Sequence, residues 1–120
     1  MPTSIPRLPA NQDAFQLGGL SFGQATTPED LECVHKMNYR SLVQELGQYP
    51  DDGSGRHVDK FHDKNLYFLC RRDSEVIGMV SGHGQAPFSV SGRLKDPDSL
   101  PKTCPKPFEA RLLTVVPQER

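Results

Sequence analysis

The 120-residue sequence predicts an α/β or α+β domain, in which a helix packs on a mostly antiparallel central sheet. Three observations carry that expectation. A capped amphipathic helix begins at Thr27, two apolar runs flank a polar turn between Leu66 and Val80, and a β-branched run occupies Leu112 to Val116. Their order, β-α-β-β-loop-β, suits helices layered on a sheet.

Residues 1–14 carry three prolines and an Asn-Gln-Asp cluster with little periodicity, so they read as a flexible tail. The domain is expected over residues 15–120. A short strand over Leu20 to Ala25 follows the Gly18-Gly19 break. In Thr27-Pro28-Glu29-Asp30, Thr27 can cap free amides, Pro28 fits the first helical position, and the acids face the positive end of the dipole. The helix should run to Leu46, with Leu31, Val34, Tyr39, Leu42, Val43 and Leu46 on one side and Gly47 as its stop.

Residues 48–64 read as a polar loop with a short helical turn near Val58 to Phe61. Leu66 to Cys70 and Val76 to Val80 then flank Arg72-Asp73-Ser74-Glu75 in a hairpin pattern. Gly82 to Pro107 is proline-rich and loop-like, with room for a brief strand at Phe88-Ser89-Val90. Such a connection inside a compact domain is uncommon and is often either functional or mobile. The strand 108–116 is the fourth and last expected.

Composition bounds the function classes. The chain is 35% apolar with a net charge of -1, its mean hydropathy is -0.57 and its pI about 6.4. A core is feasible, but no broad basic surface exists for nucleic acid or anionic membrane. Cys33, Cys70 and Cys104 are odd in number and form no C-x-x-C pair, which predicts reduced thiols in an intracellular protein. No signal-peptide core or membrane-length apolar run is visible, so a cytoplasmic location is expected.

Leu113-Thr114-Val115-Val116-Pro117-Gln118-Glu119-Arg120, with the order of elements before it, resembles the first half of the GNAT superfamily of N-acyltransferases. There a strand of pattern L-x-V-x-P-x-x-R leads into a glycine-rich turn and a helix. Tyr39-Arg40 with Glu45-Leu46-Gly47, Asp59-Lys60-Phe61-His62, Pro87-Phe88-Ser89 and Glu109-x-Arg111-Leu112 are similar, in order, to the branch of acyl-homoserine-lactone and N-acyl amino acid synthases. The resemblance implies a GNAT-like sheet truncated after the fourth strand. It also implies acyl transfer from acyl-CoA or acyl-carrier protein, the donor co-substrate, to a small amine acceptor, with no permanently bound cofactor. The strand backbone at Leu113, Thr114 and Val115 would hold the donor's pantetheine arm, with Arg120 opening the phosphate loop. Because no glycine follows Arg120, the chain reads as a fragment with little activity alone.

Glu109 and Arg111 lie two apart on a strand and should share a face. Glu109 is the candidate base for the amine, and Arg111, Arg40 and Asp59 are candidates for the acceptor site. A salt bridge at a sheet end, a solvated helix charge and a turn-capping aspartate are the plainer alternatives. His35, His57, His62 and His83 lack a second pair of metal-ligand spacing and are expected as ordinary side chains, with no metal. Asp51-Asp52-Gly53-Ser54-Gly55 lacks the ligands of a calcium loop. Cys104 lies between Lys102 and Lys106, but direct amine attack requires no cysteine nucleophile. The second reading is a non-catalytic α/β module that binds a ligand or partner, or self-associates, through the strand edge at 108–116.

Overall fold

The computed structural model describes residues 15–100 and 105–120. The tail expected over 1–14 and Cys104 lie outside them. Among the described residues the fold is α+β: an open five-stranded antiparallel sheet of order β1-β2-β3-β4-β5, with one α-helix on one face.

The sheet has one strand more than the sequence predicts. Strand β1 (Phe15–Leu17) precedes β2 (Leu20–Gln24). Gly18 and Gly19, at φ 53° and 85°, are the two-residue turn between them rather than a break. Left-handed φ at both positions matches the twist of a tight hairpin, and glycine reaches it without steric cost. Phe15 stacks on Phe22 at 4.8 Å across that pair.

Helix α1 (Pro28–Asn38) starts as its sequence dictates, with the Asp30 amide donating to Thr27 Oγ1 at 3.0 Å and Pro28 in the first turn. It does not continue to Leu46 as an α-helix. Tyr39–Glu45 forms a π-helical turn, and the Leu46 amide reaches back five residues to Ser41. The wider turn changes the phase of the apolar stripe, so Leu42 and Val43 are buried while Leu46 is left 60% exposed. A seven-residue π segment is rare in proteins, and π turns concentrate at functional sites.

Strands β3 (Leu66–Arg72) and β4 (Glu75–His83) form the hairpin, turning at Asp73-Ser74. Strand β5 (Glu109–Val115) returns antiparallel to β4 and is the sheet's second edge. The brief strand expected at Phe88 to Val90 is instead a 3-10 turn over Ser89–Arg93. Its first two amides donate to the Glu109 carboxylate, so they are not available for a ladder.

Val34 and Met37 of α1 pack on Tyr67, Leu69, Ile77, Met79 and Val116, which with Ala25 make the buried core. Period two then sends the alternate residues to the other face. There the rows Phe15–Phe22–Cys70–Gly78–Val115 and Phe68–Val80–Leu113 lie side by side. No described residue covers this apolar face, and Leu113 is 76% exposed on it.

The β4–β5 ladder slips by one residue. Ser81 faces Leu112, but Gly82 faces Ala110, so Arg111 is an extra residue on β5. A bulge turns such a residue out of strict alternation. Gly82 permits it: a Cβ there would lie 2.5 Å from the Phe108 ring and 2.6 Å from the Glu109 carbonyl. Gly82→Ala is expected to destabilise the domain by about 2 kcal/mol or more in urea unfolding. Gly78→Ala should cost less, because its nearest neighbour, the Thr114 carbonyl, would stand at 3.5 Å.

Candidate functional site

The bulge delivers Arg111 to the helix side of the sheet, where the loop before β3 places Asp59. That loop turns through Asp59 to Asn65, with the His62 amide donating to the Asp59 carbonyl at 2.9 Å and the Lys64 amide to Phe61 at 2.9 Å. The sequence places this turn near Val58 to Phe61, slightly early. Arg111 Nη2 donates to Asp59 Oδ1 at 2.7 Å, and its Nε lies 3.3 Å from Oδ2. Only 4% of the Asp59 side chain is exposed and 13% of Arg111's. The guanidinium also lies 4.8 Å from the centre of the Phe61 ring, an arrangement that holds its plane.

Burial pushes the Asp59 carboxyl upward, but hydrogen bonds from Arg111 and Asn65 outweigh it and hold Asp59 below the usual carboxylate range. The same hydrogen bond to Asp59, against burial, raises Arg111. Both groups therefore stay charged. The network continues inward: Asn65 Nδ2 donates to Asp59 at 2.7 Å and lies 3.3 Å from the Tyr67 hydroxyl, which sits 2.9 Å from His62 Nδ1. His62 meets His35 of α1 edge-on at 4.9 Å.

Glu109 has a separate set of partners. Ser89 donates its amide at 2.8 Å and its hydroxyl at 2.7 Å, and Val90 its amide at 3.0 Å. His83 Nε2 lies 3.4 Å away. His83 is wholly buried, with the rings of Phe61 and Phe88 at 5.1 and 5.2 Å. Its Nδ1 faces the Gln85 amide at 3.4 Å, so in a neutral ring the proton belongs on Nε2, towards Glu109. Burial raises the Glu109 carboxyl, but the Ser89 and Val90 donors prevail and hold it low. Three hydrogen bonds, from Ser89 and Val90, reach its two oxygens, while His83 Nε2 stands at 3.4 Å without a hydrogen bond. This is an ionised anchor for the Ser89–Arg93 turn, with little capacity left to take a proton.

Several buried polar atoms have no hydrogen-bond partner among the described residues: Asn38 Oδ1 and Nδ2, His35 Nδ1, Asn65 Oδ1, Ser81 Oγ and His83 Nε2. Buried polar atoms are ordinarily bonded, so these groups are exceptions in the interior beneath α1.

Of the sequence candidates, Asp59, Glu109 and Arg111 therefore meet at one end of the sheet, and Arg40 does not join them. Arg40 is exposed on the π turn and lines a separate cleft with Lys36, Glu45 and Arg120. Arg120 donates from Nε to the Val115 carbonyl at 2.9 Å and from Nη2 to Glu45 at 2.6 Å.

The β5 backbone divides by parity. The Val116 amide donates inward to Ile77 at 3.0 Å. Antiparallel alternation then pairs Thr114 with Met79 inward, while Val115 and Leu113 point their amides and carbonyls out of the sheet edge. The outward Val115 carbonyl on Arg120 agrees. Thr114 thus offers no backbone group at the edge, unlike Leu113 and Val115.

Asn65 and Tyr67 are the site residues that sequence reasoning did not single out, and Ser89 entered only as the end of Pro87-Phe88-Ser89. Their neighbours Asp59 to His62 and Pro87 to Ser89 lay within recognisable motifs, but only the fold shows which polar atoms converge. Among the described residues, no group of three or more His, Cys, Asp or Glu side chains is arranged to hold a metal ion, and no helix is long and apolar enough to cross a membrane. No protein-family model, curated protein or solved structure matches this chain.

Asp59→Asn is expected to cost about 3 kcal/mol at neutral pH, because it leaves Arg111 without its carboxylate in a mostly buried site. Asp59's native pKa is depressed, so its contribution is complete above the unfolded value of about 3.9 and is lost as pH falls through the lower native one. The unfolding free energy of Asp59→Asn should accordingly fall less steeply than wild type on acidification below that value.

Proposed function

We propose that this chain carries the donor strand and acceptor-side cluster of a GNAT-type N-acyltransferase, in which an acyl thioester lies along the outer edge of β5. The observation that supports this most is the bulged, free-edged β5, with outward Leu113 and Val115 and an ionised Asp59–Arg111 pair at its entrance. A pantetheine arm contains amides that pair with such an edge as an added strand would. The Val115 amide and both Leu113 groups are then its partners, the Val115 carbonyl being held by Arg120.

In this reading the amine acceptor sits beside the bulge, near Arg111 and the unpaired buried polar atoms. A bulge frees a backbone amide from the ladder, and such a donor, fixed in advance, can stabilise the oxyanion formed as the amine attacks the thioester. Arg111, with Nε and Nη2 committed to Asp59, keeps Nη1 for an anionic group on the acceptor. Glu109 fixes the Ser89–Arg93 turn at the mouth of the site, and removal of the amine proton is not assigned to it.

The uncovered apolar face behind Leu113 favours a second reading, a partner-binding module that uses the same edge. Titration of labelled protein with acetyl-CoA, followed by amide NMR, separates the two. The acyltransferase reading expects the largest saturable shifts at Leu113, Val115 and the bulge around Arg111. Unmoved β5 amides, with spectra that change only with protein concentration, would favour the module.

A further inference from the structure

We propose that the uncovered face of the sheet is a self-association surface, on which a second copy of this chain packs face to face about a two-fold axis. The inference concerns the 120-residue chain itself and rests on neither reading of the β5 edge.

Phe15, Leu17, Leu66, Phe68, Val80 and Leu113 all lie on this face, each between 38% and 76% exposed. Leu17 stands two residues from Phe15 and Leu66 two from Phe68, which on a strand gives the same face. Apolar residues scattered singly over a surface are ordinary, but a large contiguous patch marks an interaction site. With about 150–200 Å² for each fully exposed side chain of this kind, and the part-buried Leu20, Phe22, Cys70 and Val115 between them, the patch offers roughly 600–700 Å² per copy. A pair of copies then removes about 1,200–1,400 Å² from water, which reaches the size of specific, stable interfaces.

The relief of the face fits a copy of itself. Phe68, Val80 and Leu113 form a ridge across three strands, whereas in the neighbouring row the central strands carry only Cys70 and Gly78. A hollow of about 460 Å³ lies there, bounded by Leu20, Phe22, Phe68, Val80 and Leu113. A two-fold axis running across the strands, between the two rows, exchanges them. Phe68, Val80 and Leu113 of one copy then come over Cys70, Gly78 and Val115 of the other, and the reverse. The two sheets lie with their strands aligned, about 10 Å apart, as in a β-sandwich.

Two further observations favour this occupant. Nothing within one copy requires glycine at position 78: its φ lies outside the left-handed region, and a Cβ would meet no atom closer than 3.5 Å. Glycine weakens a strand, and one use of it there is to let another chain approach closely. The charged side chains lining the hollow, Arg72 and Glu119, bond to each other at 2.6 Å, so they offer no unpaired charge to an acidic or basic partner. An uncharged surface of matching relief is what a second copy supplies, and a net charge of -1 gives two copies little mutual repulsion.

Sedimentation equilibrium of the folded chain from about 1 μM to 1 mM tests this, with a monomer–dimer equilibrium of micromolar dissociation constant expected. Val80→Asp, on a central strand, and Leu113→Asp, at the edge, each put a charge into the apolar contact and should weaken the dimer at least about tenfold. Leu46→Asp, at an exposed leucine of the π turn, should leave it unchanged. Amide exchange on wild type gives an answer that needs no variant. The face-to-face dimer leaves the β5 edge open, so Leu113 and Val115 should exchange as fast at about 1 mM as in dilute protein.

A monomer at every concentration overturns the proposal, as does association that runs past a dimer. A dimer that folded Val80→Asp leaves intact, or one that protects the Leu113 and Val115 amides, also overturns it, because the copies would then be joined edge to edge. Acetyl-CoA shifts at β5 are read at a concentration where the chain is monomeric. The self-association surface and the acyltransferase reading can therefore fail independently.

Discussion

The one-residue slip between β4 and β5 is the constraint on which the site depends. With strict alternation, Arg111 and Leu112 would lie on opposite faces, and either the cation or the core leucine would be misplaced. The slip puts Leu112 against the core and Arg111 against Asp59 at once. Gly82 makes it possible by yielding its side-chain volume to Phe108 and Glu109. One backbone irregularity therefore sets the ionic cluster, the exit of the long loop and the phase of the β5 edge.

Two carboxylates act from that arrangement, and neither is free. Asp59 holds Arg111 and, through Asn65, the polar interior under α1. Glu109 gathers the amides of the Ser89–Arg93 turn and faces a buried imidazole. Both are kept ionised by their donors against the cost of burial. Such groups shape a site and set its field. They are poor at taking up protons near neutral pH, where a base needs a higher pKa. The chemistry proposed for β5 consequently leans on backbone donors and on position.

Much of this was legible from local chemistry. Thr27-Pro28 encodes a helix start because cap and ring act within one turn, and the β3–β4 hairpin follows from two apolar runs around a polar turn. The motifs holding Asp59, Glu109 and Arg111 also marked one place in space. What was not legible depends on contacts between distant residues. Gly18-Gly19 reads equally as a break or a turn until a strand partner is known, so β1 was missed. The switch to π geometry at Tyr39 has no propensity signature, and it moved Leu46 to solvent and Arg40 to another cleft. Phe88 to Val90 has strand character, but the Glu109 carboxylate, 19 to 21 residues away along the chain, captured the Ser89 and Val90 amides.

Strand β5 presents Leu113 and Val115 outward while Leu112, Thr114 and Val116 are bonded into the sheet. Native-state hydrogen exchange reads this residue by residue. Slow exchange at Leu112, Thr114 and Val116 with fast exchange at Leu113 and Val115 is the expected pattern. Protection of Leu113 and Val115 equal to that of their neighbours, in dilute protein without ligand, would contradict it, because those amides would then already be paired.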